Sequence, residues 1–80
     1  MMEEHLVTIV DFQTTEHRTT FVKLVGYDAE SNNKFEGEVK FVGGRPFGDL
    51  IHADRSALSA SCREYVQTLL IVKYNEGEFK

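Results

Sequence analysis

The sequence predicts a small α+β domain in which a three-stranded antiparallel meander is followed by a C-terminal α-helix that packs on one side of the sheet. Residues 34 to 41, KFEGEVKF, alternate between charged residues and apolar or small ones, as a half-buried strand does. From Leu58 to Val72, apolar residues recur at steps of three and four, which is typical of a helix with one buried stripe. We expect residues 1 to 80 to form one compact domain.

Two stretches before the alternating segment also have strand composition. Residues 19 to 29, TTFVKLVGYDA, are rich in β-branched and aromatic residues, and the ESNNK that follows suits a turn. Residues 6 to 12, LVTIVDF, form another strand candidate. Because strands that follow each other in sequence usually pair, the three segments predict an antiparallel meander.

The glycine-rich stretch GGRPFG, residues 43 to 48, follows the third strand. Its glycines lack the spacing of a dinucleotide-binding loop, and it lacks the Lys-Ser/Thr pair of a P-loop. We therefore interpret it as a joint between sheet and helix, with Pro46 at the first position of a short extra helix over residues 46 to 52. Arg45 is a candidate for gripping a carboxylate or phosphate.

The helical stripe is the last predicted element. Asp54 or Ser56 is the expected N-cap, and Val66 and Leu70 lie on the flank of the stripe. The stripe itself comprises Leu58, Cys62, Tyr65, Leu69 and Val72.

The last apolar run, LLIVKY at residues 69 to 74, fits either a continued helix or a fourth strand. We favour the helix, because the stripe stays in phase through Val72 and Gly77 can end a helix. A continued helix turns Ile71 and Tyr74 away from the stripe.

Composition narrows the classes of function. Nine basic and thirteen acidic residues give a net charge of −4, which argues against a general affinity for nucleic acid. No apolar stretch approaches the roughly 20 residues that span a bilayer, and the N-terminus is acidic where a signal peptide would be basic. The one cysteine, Cys62, cannot form an internal disulfide, which favours the cytoplasm.

No motif supports catalysis or a cofactor. His5, His17, His52 and Cys62 lack a spacing that would place two metal ligands on one element, so we expect no metal. A domain of this size also has little volume for a cavity of several hundred cubic ångströms, and no small-molecule substrate is evident. We expect a protein that is not an enzyme.

The remaining hypothesis is a small cytoplasmic protein–protein interaction module that acts through a sheet edge or the helix end. Regulators, adaptors and inhibitors, including accessory proteins of bacteria and viruses, are often of this kind. The partner is another protein or a second copy, because two-fold homodimers are the commonest oligomers. The predicted partner-binding residues are Arg45, Phe47, Ile71 and Tyr74.

The alternative hypothesis is a nucleic-acid-binding domain. Arg55 and Lys73 are 18 positions apart, which is about five turns on an ideal helix, so they would lie in line. With Arg45 and Arg63 they could form a local basic strip. The side of the third strand that carries Lys34, Glu36, Glu38 and Lys40 predicts an open sheet surface of mixed charge without aromatic residues for base stacking.

Overall fold

The protein is an α+β domain in which an antiparallel sheet is followed by a helix, as the sequence predicts. The structure is a computed structural model that describes residues 4–15 and 18–79. Four strands form the sheet in chain order: β1 (Leu6–Thr14), β2 (Thr19–Asp28), β3 (Asn33–Val42) and β4 (Arg45–Phe47). A 3₁₀ turn (Asp49–Ile51) and the helix α1 (Ala60–Asn75) complete the described part. Residues 69 to 74 are helical, so the preferred alternative is confirmed.

A β-bulge in β1 changes which of its residues face the helix. Ile9 pairs with Leu24 and Asp11 pairs with Lys23, so Val10 is an extra residue. Before the bulge, Val7 and Ile9 pack against the core, whereas after it Phe12 lies opposite the buried Val22. The bulge therefore keeps apolar residues of β1 on the helix side both before and after it, although Phe12 remains exposed.

The alternation in β3 is confirmed, because Val39 and Phe41 are fully buried while their charged neighbours are exposed. The opposite side of the sheet is not free of aromatic residues, however. Phe21 pairs with Lys40 and so does Phe47, so both rings stand on the charged side of the sheet. The expectation of an open surface without aromatic residues was wrong because it considered β3 alone.

The interpretation of GGRPFG as a sheet-to-helix joint is also wrong. Gly43 and Gly44 form a two-residue hairpin turn, with φ of 59° and 87°, between the paired residues Val42 and Arg45. Positive φ at both central residues is the geometry that matches the twist of paired strands, and glycine adopts it readily. Pro46 is therefore in a short edge strand, where its missing N–H is tolerated, and the extra helix is only the 3₁₀ turn.

The helix α1 buries a line of residues next to the predicted stripe. Cys62, Val66 and Leu70 are fully buried, whereas Tyr65 and Val72 are exposed. Val66 and Leu70 thus form the centre of the contact and not its flank. The core consists of Val22, Leu24, Val39, Phe41, Leu58, Cys62, Val66, Leu70 and Phe79.

Candidate functional site

The most apolar exposed surface of the described chain lies along the edge strand β1. Leu6 is 60% exposed and Val10 is 56% exposed, and Phe12 is also exposed. Leu6 pairs with Tyr27 and so stands on the open side of the sheet, while the bulge carries Val10 out of the ladder. A nine-residue edge strand with these side chains and one charged residue, Asp11, is a favourable template for pairing with another strand.

Helix α1 extends this apolar surface below β1. The Tyr65 ring lies 5.8 Å from the ring of His5, which immediately precedes β1. Near the other end of the helix, Lys73 lines a groove together with residues 9 to 12. Val72 follows Tyr65 by seven residues, so both side chains lie on the same side of the helix. Val72 is 46% exposed and Tyr65 is 41% exposed. The edge of β1 and this side of α1 together form what we call the β1 side.

Among residues 4–15 and 18–79, no strand pairs with the outer edge of β1, and one of its outward backbone groups is already occupied. The N–H of Thr15 donates to the carbonyl oxygen of Thr19. Because hydrogen-bonded and non-hydrogen-bonded pairs alternate along an antiparallel ladder, the N–H of Phe12 points away from β2. The carboxylate of Asp11 accepts that N–H at 2.8 Å. Beyond the bulge, this N–H is therefore not available to a pairing strand. The segment before Val10 is the better edge for pairing.

The other edge, β4, carries two of the predicted partner-binding residues. Arg45 and Phe47 are both exposed, and Phe47 is 49% exposed. The strand has three residues and includes Pro46, which offers no N–H to a pairing strand. The exposed Val42 lies beside it on β3. This edge offers exposed side chains but a short backbone template.

The predicted residues near the helix end are Ile71 and Tyr74, and Tyr74 lies beside the Gly43–Gly44 turn that leads into that edge. Ile71 is half-buried. Tyr74 packs inward: its ring stacks on Phe41 with a centroid distance of 4.6 Å and an interplanar angle of 13°. The expectation that Tyr74 points away from the core is wrong, because the buried line of α1 is rotated toward the side of the helix that carries it.

The four basic residues of the alternative hypothesis do not share one line. Arg55 precedes α1, so the helical spacing that would align it with Lys73 does not apply. Arg55 Nη1 lies 3.7 Å from Asp49 Oδ1, and Lys73 Nζ donates to Glu78 Oε2 at 3.2 Å. Arg45 lies on β4 and Arg63 on the first part of α1. Two of the four cations are therefore beside carboxylates.

A buried polar network holds the N-terminus of α1 to the end of β2. Asp28 is 1% exposed and accepts hydrogen bonds from the Ser59 N–H at 2.7 Å and from the Ser59 hydroxyl at 2.8 Å. The N–H groups of Glu30 and Ser31 also donate to Asp28. Ser59 in turn accepts the N–H of Cys62 and is the N-cap. The expected caps, Asp54 and Ser56, lie too early, because the helix begins at Ala60.

This network shifts two pKa values. Burial disfavours the charged form of Asp28, but the hydrogen bonds from Ser59 and Ser31 outweigh it and lower the pKa of that carboxyl from 3.8 to about 2. Burial raises the pKa of the Cys62 thiol to about 11, and the Asp28 charge acts in the same direction. Asp28 is therefore an anion and Cys62 a protonated thiol near neutral pH.

His5 joins this network in a geometry that resembles a catalytic triad. His5 Nε2 is 3.0 Å from the Ser61 hydroxyl, and His5 Nδ1 is 3.6 Å from Asp28 Oδ1. The Ala29 N–H, however, donates to Nδ1 at 3.0 Å, so Nδ1 has no proton and Nε2 is the donor. A triad needs the opposite tautomer, in which Nδ1–H faces the carboxylate and Nε2 accepts from the nucleophile. His5 therefore does not accept the Ser61 proton, and the Ser61 hydroxyl donates to the Glu30 carboxylate instead.

Among residues 4–15 and 18–79, His5 and Asp28 also form a group of potential metal ligands with Cys62. The ligand atoms of His5, Asp28 and Cys62 lie within 4.8 Å of one another, a proximity that their sequence spacing does not indicate. Nδ1 of His5 and both oxygens of Asp28 already accept hydrogen bonds, and the thiol is protonated. Asp28 is thus committed to Ser59 at the start of α1 and His5 to the Ala29 N–H. His52 lies in the turn before α1 and accepts the Asp54 N–H, and His17 lies outside the described residues.

Comparisons of the chain with protein-family models, with curated proteins and with solved structures found no match. In the part of the chain that the structure describes, α1 falls short of the length and apolarity of a membrane-crossing helix, and so does every other helical segment.

Proposed function

We propose that this protein is a small, non-enzymatic protein–protein interaction module of the cytoplasm whose binding surface is the β1 side. The observation that carries the proposal is the distribution of exposed large apolar residues. Leu6, Val10 and Phe12 lie on β1, and Tyr65 and Val72 lie on the adjoining side of α1. An apolar patch beside an unpaired strand offers both main-chain hydrogen bonds and side-chain contacts to a partner.

The occupant we propose is a second copy of the chain, paired antiparallel through β1. In the register that centres Thr8 on the two-fold axis, Leu6 faces the partner's Val10 and Val7 faces the partner's Ile9. The bulge at Val10 ends this one-to-one register, so Asp11 lies beyond the paired segment. The strand is thus complementary to itself, as a two-fold interface requires.

A cytoplasmic location is supported by the buried free thiol of Cys62, which needs no oxidising compartment. A non-enzymatic role is supported by the His5 tautomer, because Nε2–H donates to Ser61 and His5 cannot act as its base. The roles of regulator, adaptor or inhibitor all fit a module that presents one strand edge.

Charge substitutions on β1 test the proposal. Leu6→Lys and Val10→Lys place two like charges at the paired edge of each copy, so we expect the dimer to dissociate into folded monomers. The measurement is solution mass by light scattering across a wide range of protein concentration. Because both side chains are exposed, we expect the free energy of unfolding of the separated monomer to change by less than about 0.5 kcal/mol per substitution.

Val42→Lys with Phe47→Lys is the matched control on the opposite edge, where both side chains are also exposed. We expect this variant to remain dimeric. A parent protein that is monomeric at every concentration contradicts self-association. A dimer that only the control variant dissociates contradicts the β1 side and supports the sequence-based prediction for Arg45 and Phe47.

A further inference from the structure

The described chain contains a cleft of about 700 Å³ where the end of the sheet meets the end of α1. Its volume lies within the range of small-molecule sites, so the expectation that a chain this short has little room for such a cavity does not hold here. The cleft is distinct from the Leu6–Val10 segment, because it involves β1 only at Thr14. It is lined by Thr14, Arg18, Thr20, Gly43, Gly44, Tyr74 and Phe79.

The apolar wall of the cleft is held in place by aromatic packing. Tyr74 stacks on the fully buried Phe41, and the Phe79 ring lies 6.1 Å from Phe41 at a tilt of 42°. Phe79 itself is only 4% exposed. A wall formed by rings that already have packing partners costs little to order when a ligand binds.

The hydroxyl groups beside this wall are already paired with each other. Thr14 Oγ1 donates to the carbonyl oxygen of Phe79 at 3.0 Å. Because that bond uses its proton, Thr14 accepts from the hydroxyl of the buried Thr20 at 3.1 Å. These groups fix the C-terminal segment to the sheet and leave a single lone pair on Thr14 for a ligand.

Two other polar groups of the lining have no such partners. Neither the Arg18 guanidinium nor the Tyr74 hydroxyl makes a hydrogen bond or ion pair with any of residues 4–15 and 18–79. Among the described residues of the lining, Arg18 is the one charged residue and none is a carboxylate, in a chain of net charge −4. The cleft thus combines an apolar wall with an unpaired cation and a hydroxyl.

We propose that this cleft binds small aromatic carboxylates. The planar guanidinium of Arg18 matches a carboxylate with two parallel hydrogen bonds, and the Tyr74 hydroxyl is a further donor. The aromatic ring of the ligand packs against the part of Tyr74 that the stacking on Phe41 leaves open, with the edge of Phe79 beside it. This site does not depend on self-association, so the protein can hold a ligand as a monomer or as a dimer.

The test is titration of the full chain with phenylacetate, followed by NMR shifts of the backbone amides. We expect saturable shifts at Gly43, Gly44 and Phe79, and about tenfold weaker binding of the uncharged isostere phenylacetamide. Arg18→Gln should weaken phenylacetate to the level of the amide and leave the amide unchanged. Arg55→Gln removes the same charge from an exposed position outside the lining, so it should bind phenylacetate like the parent.

Equal binding of the acid and the amide by the parent protein overturns the proposal even if Arg18→Gln does not fold. Shifts that map outside the cleft, or the absence of saturation at tens of millimolar phenylacetate, also overturn it. Unchanged phenylacetate binding by a folded Arg18→Gln variant has the same consequence.

Discussion

Asp28 is the residue on which the joint between sheet and helix depends. Its carboxylate ends β2, accepts the N–H groups of the following turn and binds Ser59 at the start of α1. It thus satisfies donors that a helix N-terminus and a tight turn would otherwise leave unpaired. A strand ending in aspartate is visible in the sequence, but its partner at Ser59 is 31 residues away and no local pattern indicates it.

Substitution of Asp28 should remove this connection and its pH dependence. Because the pKa of Asp28 falls from 3.8 on folding to about 2, its charged form stabilises the fold fully above about pH 5. That contribution, about 2 kcal/mol, is lost as the pH falls through 4 toward 2. We expect Asp28→Asn to lower the free energy of unfolding at pH 7 by about 2 to 3 kcal/mol. Chemical denaturation at a series of pH values should also show a smaller loss of stability for this variant between about pH 4 and pH 2.

Asp54→Asn, which changes an exposed aspartate, is the control and should retain both the stability at pH 7 and its full loss at low pH. Equal stabilities of the two variants at pH 7 would show that Asp28 does not carry the joint.

Cys62 should be chemically silent in the folded protein. Its thiol is fully buried and has a pKa of about 11, so the thiolate needed for attack on a disulfide reagent is scarce and inaccessible at pH 8. We expect the reagent to react at the rate of unfolding in buffer and rapidly in denaturant. Rapid reaction in buffer would contradict the burial of this side of α1.

At the scale of the elements, the sequence indicates β1, β2, β3, the helix and the buried side of β3, but not β4. It does not indicate the phase of α1, because Tyr65, Leu69 and Val72 are as apolar as Val66 and Leu70. Packing decides which of these two sets of residues is buried, and the sheet packs against the set that contains Val66 and Leu70. The bulge at Val10 and the Gly43–Gly44 hairpin were also missed, the first because a bulge breaks the alternation and the second because both glycines also suit a loop.

Truncation of one residue from each set on α1 should show which set packs against the sheet. Leu70 is fully buried, so Leu70→Ala leaves a cavity and should lower the free energy of unfolding by about 2 to 5 kcal/mol. Val72 is exposed, so Val72→Ala should change it by less than about 0.5 kcal/mol. Chemical denaturation of both variants measures the difference. The reverse order would mean that the predicted stripe faces the sheet.

At the scale of the whole molecule, the two sheet edges differ in their capacity for pairing. The sequence predicts an interaction through an edge or the helix end, but its candidate residues lie on β4, at the half-buried Ile71 and at the inward-packed Tyr74. The strand order decides which edges are open, and strand order is a long-range property. Only with β1 placed at an edge do Leu6 and Val10 become candidates, because in an inner strand the same residues would be ordinary sheet formers.

The central claim is that two copies pair through β1, and isotope-filtered NMR on a mixture of labelled and unlabelled protein tests it most directly. We expect intermolecular contacts between Leu6 of one copy and Val10 of its partner, and none at β4. Intermolecular contacts confined to Val42 and Phe47, or a protein that shows none and sediments as a monomer, would contradict the account.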